Sequence, residues 1–226
     1  LILSNKIFNF FFVFFCIITF LNGLNFIDGS NGLVSGYLLL ISVTCLSIIF
    51  YKLGPINDNL YDLNVVLLLV YSIFFIFNFF GRCFFGDNGI YISAILIAYF
   101  VINLVNFNQD ILSPIFAVML LWYPAFENLI TIVRRNYKKK KIFEPDNFHF
   151  HSLLFKVLYN KLNSKISHRA CNSFTGILIN VMLLPNFFFG YIYYNSSKML
   201  LLLITIEVLI YIIVFLLLLK KVKISN

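Results

Sequence analysis

The sequence predicts an all-α fold, a polytopic transmembrane helix bundle of about seven spans in one integral membrane domain covering residues 1–226. Three observations carry that expectation. Hydrophobic residues make up 61% of the chain, charged residues only 12%, and the mean hydropathy is +0.93, whereas soluble domains lie nearer ~45–50% apolar. The apolar runs 7–27, 33–51, 63–80, 89–107, 111–133, 173–194 and 199–219 each reach the ~18–20 residues that a helix needs to cross a hydrocarbon core of about 30 Å. If these spans alternate in direction, all but Lys6, Lys52 and Lys198 of the 17 Lys and Arg residues fall on one side, which the positive-inside rule makes cytoplasmic. The net charge of +8 therefore reports orientation, and no nucleic-acid partner is expected.

Taken in order, the chain opens on Leu1 to Lys6, which carries neither the charged start nor the cleavage site of a signal peptide; it is expected to be a fragment lacking upstream sequence. Span 7–27 ends in a polar stretch, Asn22 to Leu33, which has no reason to interrupt two apolar runs in a soluble protein. Read as a helix, Asn22, Asn25, Asp28 and Asn31 recur every third residue and share one stripe. A carboxylate beside a membrane span is costly to desolvate, which marks Asp28 as a functional candidate. Gly29, Gly32 and Gly36 permit a tight turn and close helix approach.

After span 33–51, Gly54-Pro55 and Asn57-Asp58-Asn59 have turn composition and fall on the external side, so Asp58 and Asp62 read as solvated. Span 63–80 returns to Gly86-Asp87-Asn88-Gly89. Asp87 there either caps the helix of span 89–107 or, through its flanking glycines, lets a phosphate or metal approach. A second carboxylate-plus-glycine cluster on the side of Asp28 strengthens the latter, because a hard cation needs oxygens from several elements.

Asn106 to Asp110 is an external turn, and span 111–133 carries Pro114 and Pro124, each expected to kink it. Glu127, near its inner end, reads as a paired or interfacial charge beside Arg134, Arg135 and the lysines. The stretch 134–172 is expected to be a cytoplasmic loop, whose Lys138 to Lys141 run fits contact with anionic membrane lipids. His149 and His151 would share one side in an extended segment and diverge in a helix. No cysteine or HExxH pattern supports zinc, so binding of phosphate or sugar by imidazole is preferred. Cys16, Cys45, Cys83 and Cys171 are far apart, without a CxxC pair, and read as packing residues. Glu207 lies midway along span 199–219, where a charge costs ~2.5–3.5 kcal/mol, so it is expected to be protonated or buried against other helices. It is the residue on which a non-catalytic alternative, a transporter, would rest; a degenerate scaffold is the other.

The constellation Asn22, Asn25, Asp28-Gly29, Asn31-Gly32-Leu33, then Gly86-Asp87-Asn88-Gly89, Arg134-Arg135, and Asp146, His149, His151, Leu154 resembles the polyprenyl-phosphate N-acetylhexosamine-1-phosphate transferases, the glycosyltransferase 4 type that initiates O-antigen, enterobacterial common antigen or teichoic acid. The resemblance implies a multi-pass protein of the bacterial inner membrane, active on its cytoplasmic face. It implies UDP-N-acetylhexosamine as donor, undecaprenyl phosphate as acceptor, and Mg²⁺ (or Mn²⁺) as cofactor. Carried over, Asp87 would be the metal ligand and, with Asp28, catalytic; Asn22, Asn25, Asn31, Arg134, Arg135, His149 and His151 would bind substrate. The family's DDxxD motif normally precedes the first span seen here and is not in this chain, which implies truncation. Asn31, Asn147 and Ser152 stand where many relatives carry Asp, Arg and a third His. The triple-His signature of the peptidoglycan branch is not found, which favours a simple hexosamine donor. A homodimer is compatible with the resemblance.

Overall fold

The computed structural model describes residues 6–54, 58–137, 148–162 and 165–224, and all regular structure among them is helical. The elements are α1 (Lys6–Ile27), α2 (Leu33–Ile48, continued by a π-helical turn Ile49–Leu53), α3 (Asp58–Phe79), α4 (Gly86–Phe107), α5 (Pro114–Tyr137), α6 (Phe150–Leu162), α7 (His168–Ile192) and α8 (Ser197–Ile224). Seven of these, all but α6, are long and apolar enough to cross a membrane. Several outrun the apolar stretches that announced them. Thus α3 takes in Asp58 and Asn59, α5 runs on to Tyr137, and α7 starts at His168. An apolar run marks the part that lies in hydrocarbon, whereas the backbone ladder extends into the polar flank.

Two expectations are corrected. The stretch 134–172 is not simply a loop: α6 lies within it and packs on α7 and α8, with Phe150, His151, Leu153 and Leu154 buried. Pro114 does not kink α5 but opens it, a position where the missing N–H costs nothing. Lys138 to Lys141 and Pro145-Asp146-Asn147 lie outside the described residues.

In the bundle, α1 packs on α4 and α5, α2 packs on α3 and α7, and α8 closes against α5, α6 and α7. The α1–α5 crossing is built on Gly23 and Pro124. A Cβ on Gly23 would lie 1.9 Å from the Pro124 carbonyl oxygen, so no larger residue fits. Pro124 has no N–H to give the Leu120 carbonyl four residues back, and the Tyr37 hydroxyl of α2 donates to that oxygen instead, at 2.5 Å. At one end of the bundle the connections 108–113 and 193–196 are tied by Ser113 N–H to the Tyr194 carbonyl (2.9 Å) and by the Ser113 and Ser197 hydroxyls (2.7 Å). At the other end, Gly81 sits against Asn31 and Arg169, so the connections after α1 and α3 meet the start of α7. Outward apolar side chains such as Phe11, Leu69 and Ile213 suit a hydrocarbon surround. Glu207 is half-buried in α8, with its Oε2 enclosed and without a hydrogen-bond partner.

Candidate active site

The site begins where α1 stops. Helix α1 ends at Ile27, the Asp28 N–H reaches the Asn25 carbonyl at 3.3 Å, and Gly32 adopts φ 75°, a left-handed conformation that favours glycine. The period-three stripe therefore breaks in the turn. Asn22 and Asn25 stay half-buried on α1 and Asp28 is half-buried in the turn, but Asn31 is buried and faces α7. The Asn31 Nδ2 donates to Ser173 Oγ (3.2 Å), whose hydroxyl donates to the Phe79 carbonyl (2.6 Å). The helical reading placed Asn31 beside Asp28; the glycine turn sends it elsewhere.

Two further side chains clamp the turn. Asn78 of α3 accepts the Gly32 N–H (2.7 Å) and the Ser35 hydroxyl (3.0 Å), and its Nδ2 donates to the Cys83 carbonyl (2.9 Å). Asn180 of α7 donates to the Gly32 carbonyl (2.8 Å). Helix α7 can come this close because Gly176 has no side chain: a Cβ there would lie 2.2 Å from the Asn31 carbonyl oxygen. Sequence reasoning missed Asn78, Ser173 and Asn180. Their one signal is that they are polar residues inside apolar runs, where each needs a partner.

Asp87 lies in the first turn of α4, exposed, after Gly86 at φ 61°. It is not the N-cap, which is Phe85, and no side chain caps that end. One helical turn on, Tyr91 accepts a hydrogen bond from Asn25 Nδ2 at 3.4 Å, joining α4 to α1. Burial, and then the charge of Asp87, push the Asp28 carboxyl up from 3.8 to about 7. The two carboxylates thus lie at the same end of α1 and α4, near enough for the charge of one to act on the other.

Among the described residues no group of three or more His, Cys, Asp or Glu side chains could hold a metal. Asp28 and Asp87, carried at the same end of the packed helices α1 and α4, are nonetheless a donor set that a hard cation would fit, since Mg²⁺ takes one or two protein carboxylates and completes its shell with water and phosphate. A pH dependence follows. Asp28 holds its proton more tightly in the folded protein, so its favourable share of stability is complete below the ordinary carboxylate range and is lost as pH rises through about 7. Without divalent metal, the melting temperature in detergent should fall between about pH 5 and about pH 8, and Asp28→Asn should flatten that slope.

The histidines approach the same turn from the other side. His149 is the non-helical residue before α6 and His151 is in its first turn, yet their rings stack at 5.8 Å with 6° between planes. The pair shares one side, as expected of an extended segment, because only one of the two is helical. His151 rests on Gly29: a Cβ there would lie 2.1 Å from Nε2. That ring is buried, its Nε2 lies 3.1 Å from Ser152 Oγ, and its Nδ1 has no partner. Burial pushes His151 down to about 4, so it is neutral at neutral pH. His149 meets Phe26 at 5.1 Å. The Arg134 guanidinium (5.7 Å) and the Lys156 ammonium (5.4 Å) both lie over the ring of Phe148, which brings Arg134 beside the histidine segment, and Arg135 follows it, half-buried.

Glu127 is paired, the first of the two readings from sequence, but with a partner other than the nearby arginines. It is only 1% exposed and does not sit at an interface: its Oε1 is 3.3 Å from His149 Nδ1 and accepts the Phe150 N–H (3.0 Å), and its Oε2 accepts the Tyr211 hydroxyl. The nearby Arg134 and Arg135 in sequence hid a partner 22 residues away.

Residues 2–105 match the family model described as glycosyl transferase family 4. The resemblance read from the motifs is thereby borne out. The family 4 match takes in Asn22 to Leu33 and Gly86 to Gly89, and stops short of Glu127 and the histidines. Curated relatives are similar at low identity. An undecaprenyl-phosphate alpha-N-acetylglucosaminyl 1-phosphate transferase of Yersinia pestis is 24% identical over 61% of this chain and 38% of its own length. A decaprenyl-phosphate N-acetylglucosaminephosphotransferase of Mycobacterium tuberculosis is 27% identical over 62% of this chain and 39% of its own. The Escherichia coli undecaprenyl-phosphate transferase of the same description is 22% identical over 66% and 41%. The matched stretch thus spans about two fifths of these relatives. No solved structure gives a significant match.

Proposed function

We propose that this protein transfers an N-acetylhexosamine-1-phosphate from a UDP-sugar to undecaprenyl or another polyprenyl phosphate, giving a prenyl-diphospho-sugar and UMP. The step would initiate cell-surface glycan synthesis at the cytoplasmic face of a bacterial inner membrane. The names of the relatives support the reaction class. The observation that carries it in this chain is the placing of Asp28 and Asp87 at the same end of the packed helices α1 and α4, joined there by Asn25 and Tyr91, beside a turn on which His151 rests.

In this reading Asp87, the exposed carboxylate, is the principal ligand of Mg²⁺ or Mn²⁺, and Asp28 stands behind it. When bound, the cation supplies charge neutralisation to the diphosphate, which is most of what such a transfer requires. Asn22 and Asn25 present amides from the last turns of α1, and Arg134 and Arg135 bring positive charge to the histidine side. The distribution of Lys and Arg supports the cytoplasmic placement of this end.

The test is UMP release from a panel of UDP-N-acetylhexosamines with undecaprenyl phosphate in detergent, using the full-length protein. Release that needs Mg²⁺ and stops with chelator is the expected result, and the panel names the sugar. No release from any donor would leave a scaffold or a transporter built on Glu207.

A further inference from the structure

We propose that Glu127 is a positioning residue of this site: with Thr131 it fixes the ring proton of His149 on Nδ1, leaving Nε2 as an acceptor for a hydroxyl or amide proton of the sugar. The proposal rests on the transferase reading and deepens it.

Glu127 belongs to a span, where a carboxyl is costly unless its oxygens are satisfied. Three donors from three elements converge on it. The Phe150 N–H comes from the start of α6, the Tyr211 hydroxyl from α8, and the His149 ring from the segment between α5 and α6. His149 Nδ1 also lies 3.4 Å from Thr131 Oγ1, one turn further along α5. Nδ1 therefore faces a carboxylate oxygen and a hydroxyl oxygen. A proton on Nδ1 satisfies that arrangement, whereas a lone pair there would be aimed at the carboxylate oxygen.

The consequence lies on the other nitrogen. A neutral imidazole with its proton on Nδ1 carries a lone pair on Nε2. Such a nitrogen cannot bond an ionised diphosphate, whose oxygens only accept; it can accept from an O–H or an N–H. The stacked partner His151 is neutral. With His149 in the proposed form the two rings are an uncharged polar wall, which suits the N-acetylhexosamine, while the carboxylate pair with its cation and the arginines suit the diphosphate. Choosing between sugar and phosphate for these histidines thus turns on Glu127. Tyr211, on the last span, holds the far oxygen of the clamp, so α8 contributes to the site without touching substrate.

¹⁵N-histidine labelling of the full-length protein in nanodiscs assigns the His149 ring signals as those lost in His149→Ala and kept when His151 or His168 is replaced. The expected result at neutral pH is a His149 with protonated Nδ1 and bare Nε2, and loss of that single form in Glu127→Gln. A His149 protonated on Nε2, or on both nitrogens, would overturn the proposal. The kinetic arm is a cycle of Glu127→Gln, His149→Ala and the double variant. Glu127→Gln should lower kcat/KM for the UDP-sugar on the order of ten- to a hundredfold, the range seen for groups that orient other functional histidines, with KM for the donor carrying most of it. In the His149→Ala background it should cost nothing more. Losses that multiply would mean that Glu127 acts on its own or only holds the fold, and would sink the idea. If Glu127→Gln does not fold, Glu127→Asp, which keeps the carboxylate but withdraws it, serves in both arms. Should the wild-type protein release no UMP, the transferase reading fails, and the ¹⁵N signals still decide where the His149 proton sits.

Discussion

Asp87→Asn should cut Mg²⁺-dependent UMP release on the order of a hundred- to a thousandfold, as expected when one element of a charge-stabilising site is removed. The substitution keeps size and helix position and deletes only the charge. It also removes the repulsion that helps to hold Asp28 at about 7, so the Asp28 carboxyl should titrate lower and the metal-free protein should melt no earlier than wild type. Activity and stability therefore move in opposite directions. That pair of readings separates a lost cation ligand from a damaged fold, which would lower both. Wild-type turnover in Asp87→Asn would remove the carboxylate pair from the reaction.

The largest effect on stability is expected at Gly23. Alanine there sets a Cβ 1.9 Å from the Pro124 oxygen and 2.3 Å from its carbonyl carbon, both backbone atoms of a residue whose φ is locked by its ring. No rotamer change relieves that clash, so α1 and α5 must part. Overpacking of this kind costs about 1–3 kcal/mol, and more where the neighbour is backbone. The parting also breaks the bond from Asn128 Nδ2 to the Thr19 carbonyl (3.1 Å) and displaces Asn25 and Glu127 on the two helices. Gly23→Ala should lose most of its monodisperse peak in size-exclusion fluorescence, with a lower melting temperature in what remains. Gly190→Ala is the matched control, since its Cβ would meet only side-chain atoms of Met119 and Phe116 at 3.6 Å and beyond. A Gly23→Ala protein as stable as that control would contradict the close crossing.

What could be read without coordinates divides along physical lines. Span number followed from apolar length, a property of consecutive residues, and Asp28 and Asp87 stood out because a charge next to hydrocarbon is rare. Asn31 was misplaced because its period assumed a helix through residue 31, whereas α1 ends at Ile27 and the chain turns over residues 28–32. Glu127 was paired with the arginines nearest in sequence, while its partners came from the histidine segment and the last span. Helix α6 escaped notice because its buried face is carried by few residues, one of them a histidine. The asparagines at 78 and 180 are legible only as polar residues in need of a partner; which partner is a matter of tertiary approach.

The clamp on the Asp28 to Gly32 turn bears on how the protein is made. The Gly32 carbonyl waits for an amide that leaves the ribosome 148 residues later, a delay on the order of ten seconds at usual rates of synthesis. Until α7 has entered the membrane, the turn carrying Asp28 lacks Asn180 and Ser173, and the nascent chain cannot set the geometry of that turn. The turn is thus completed only once α7 is inserted, so that a translation product arrested before residue 180 would reside in the bilayer with its clamp unmade.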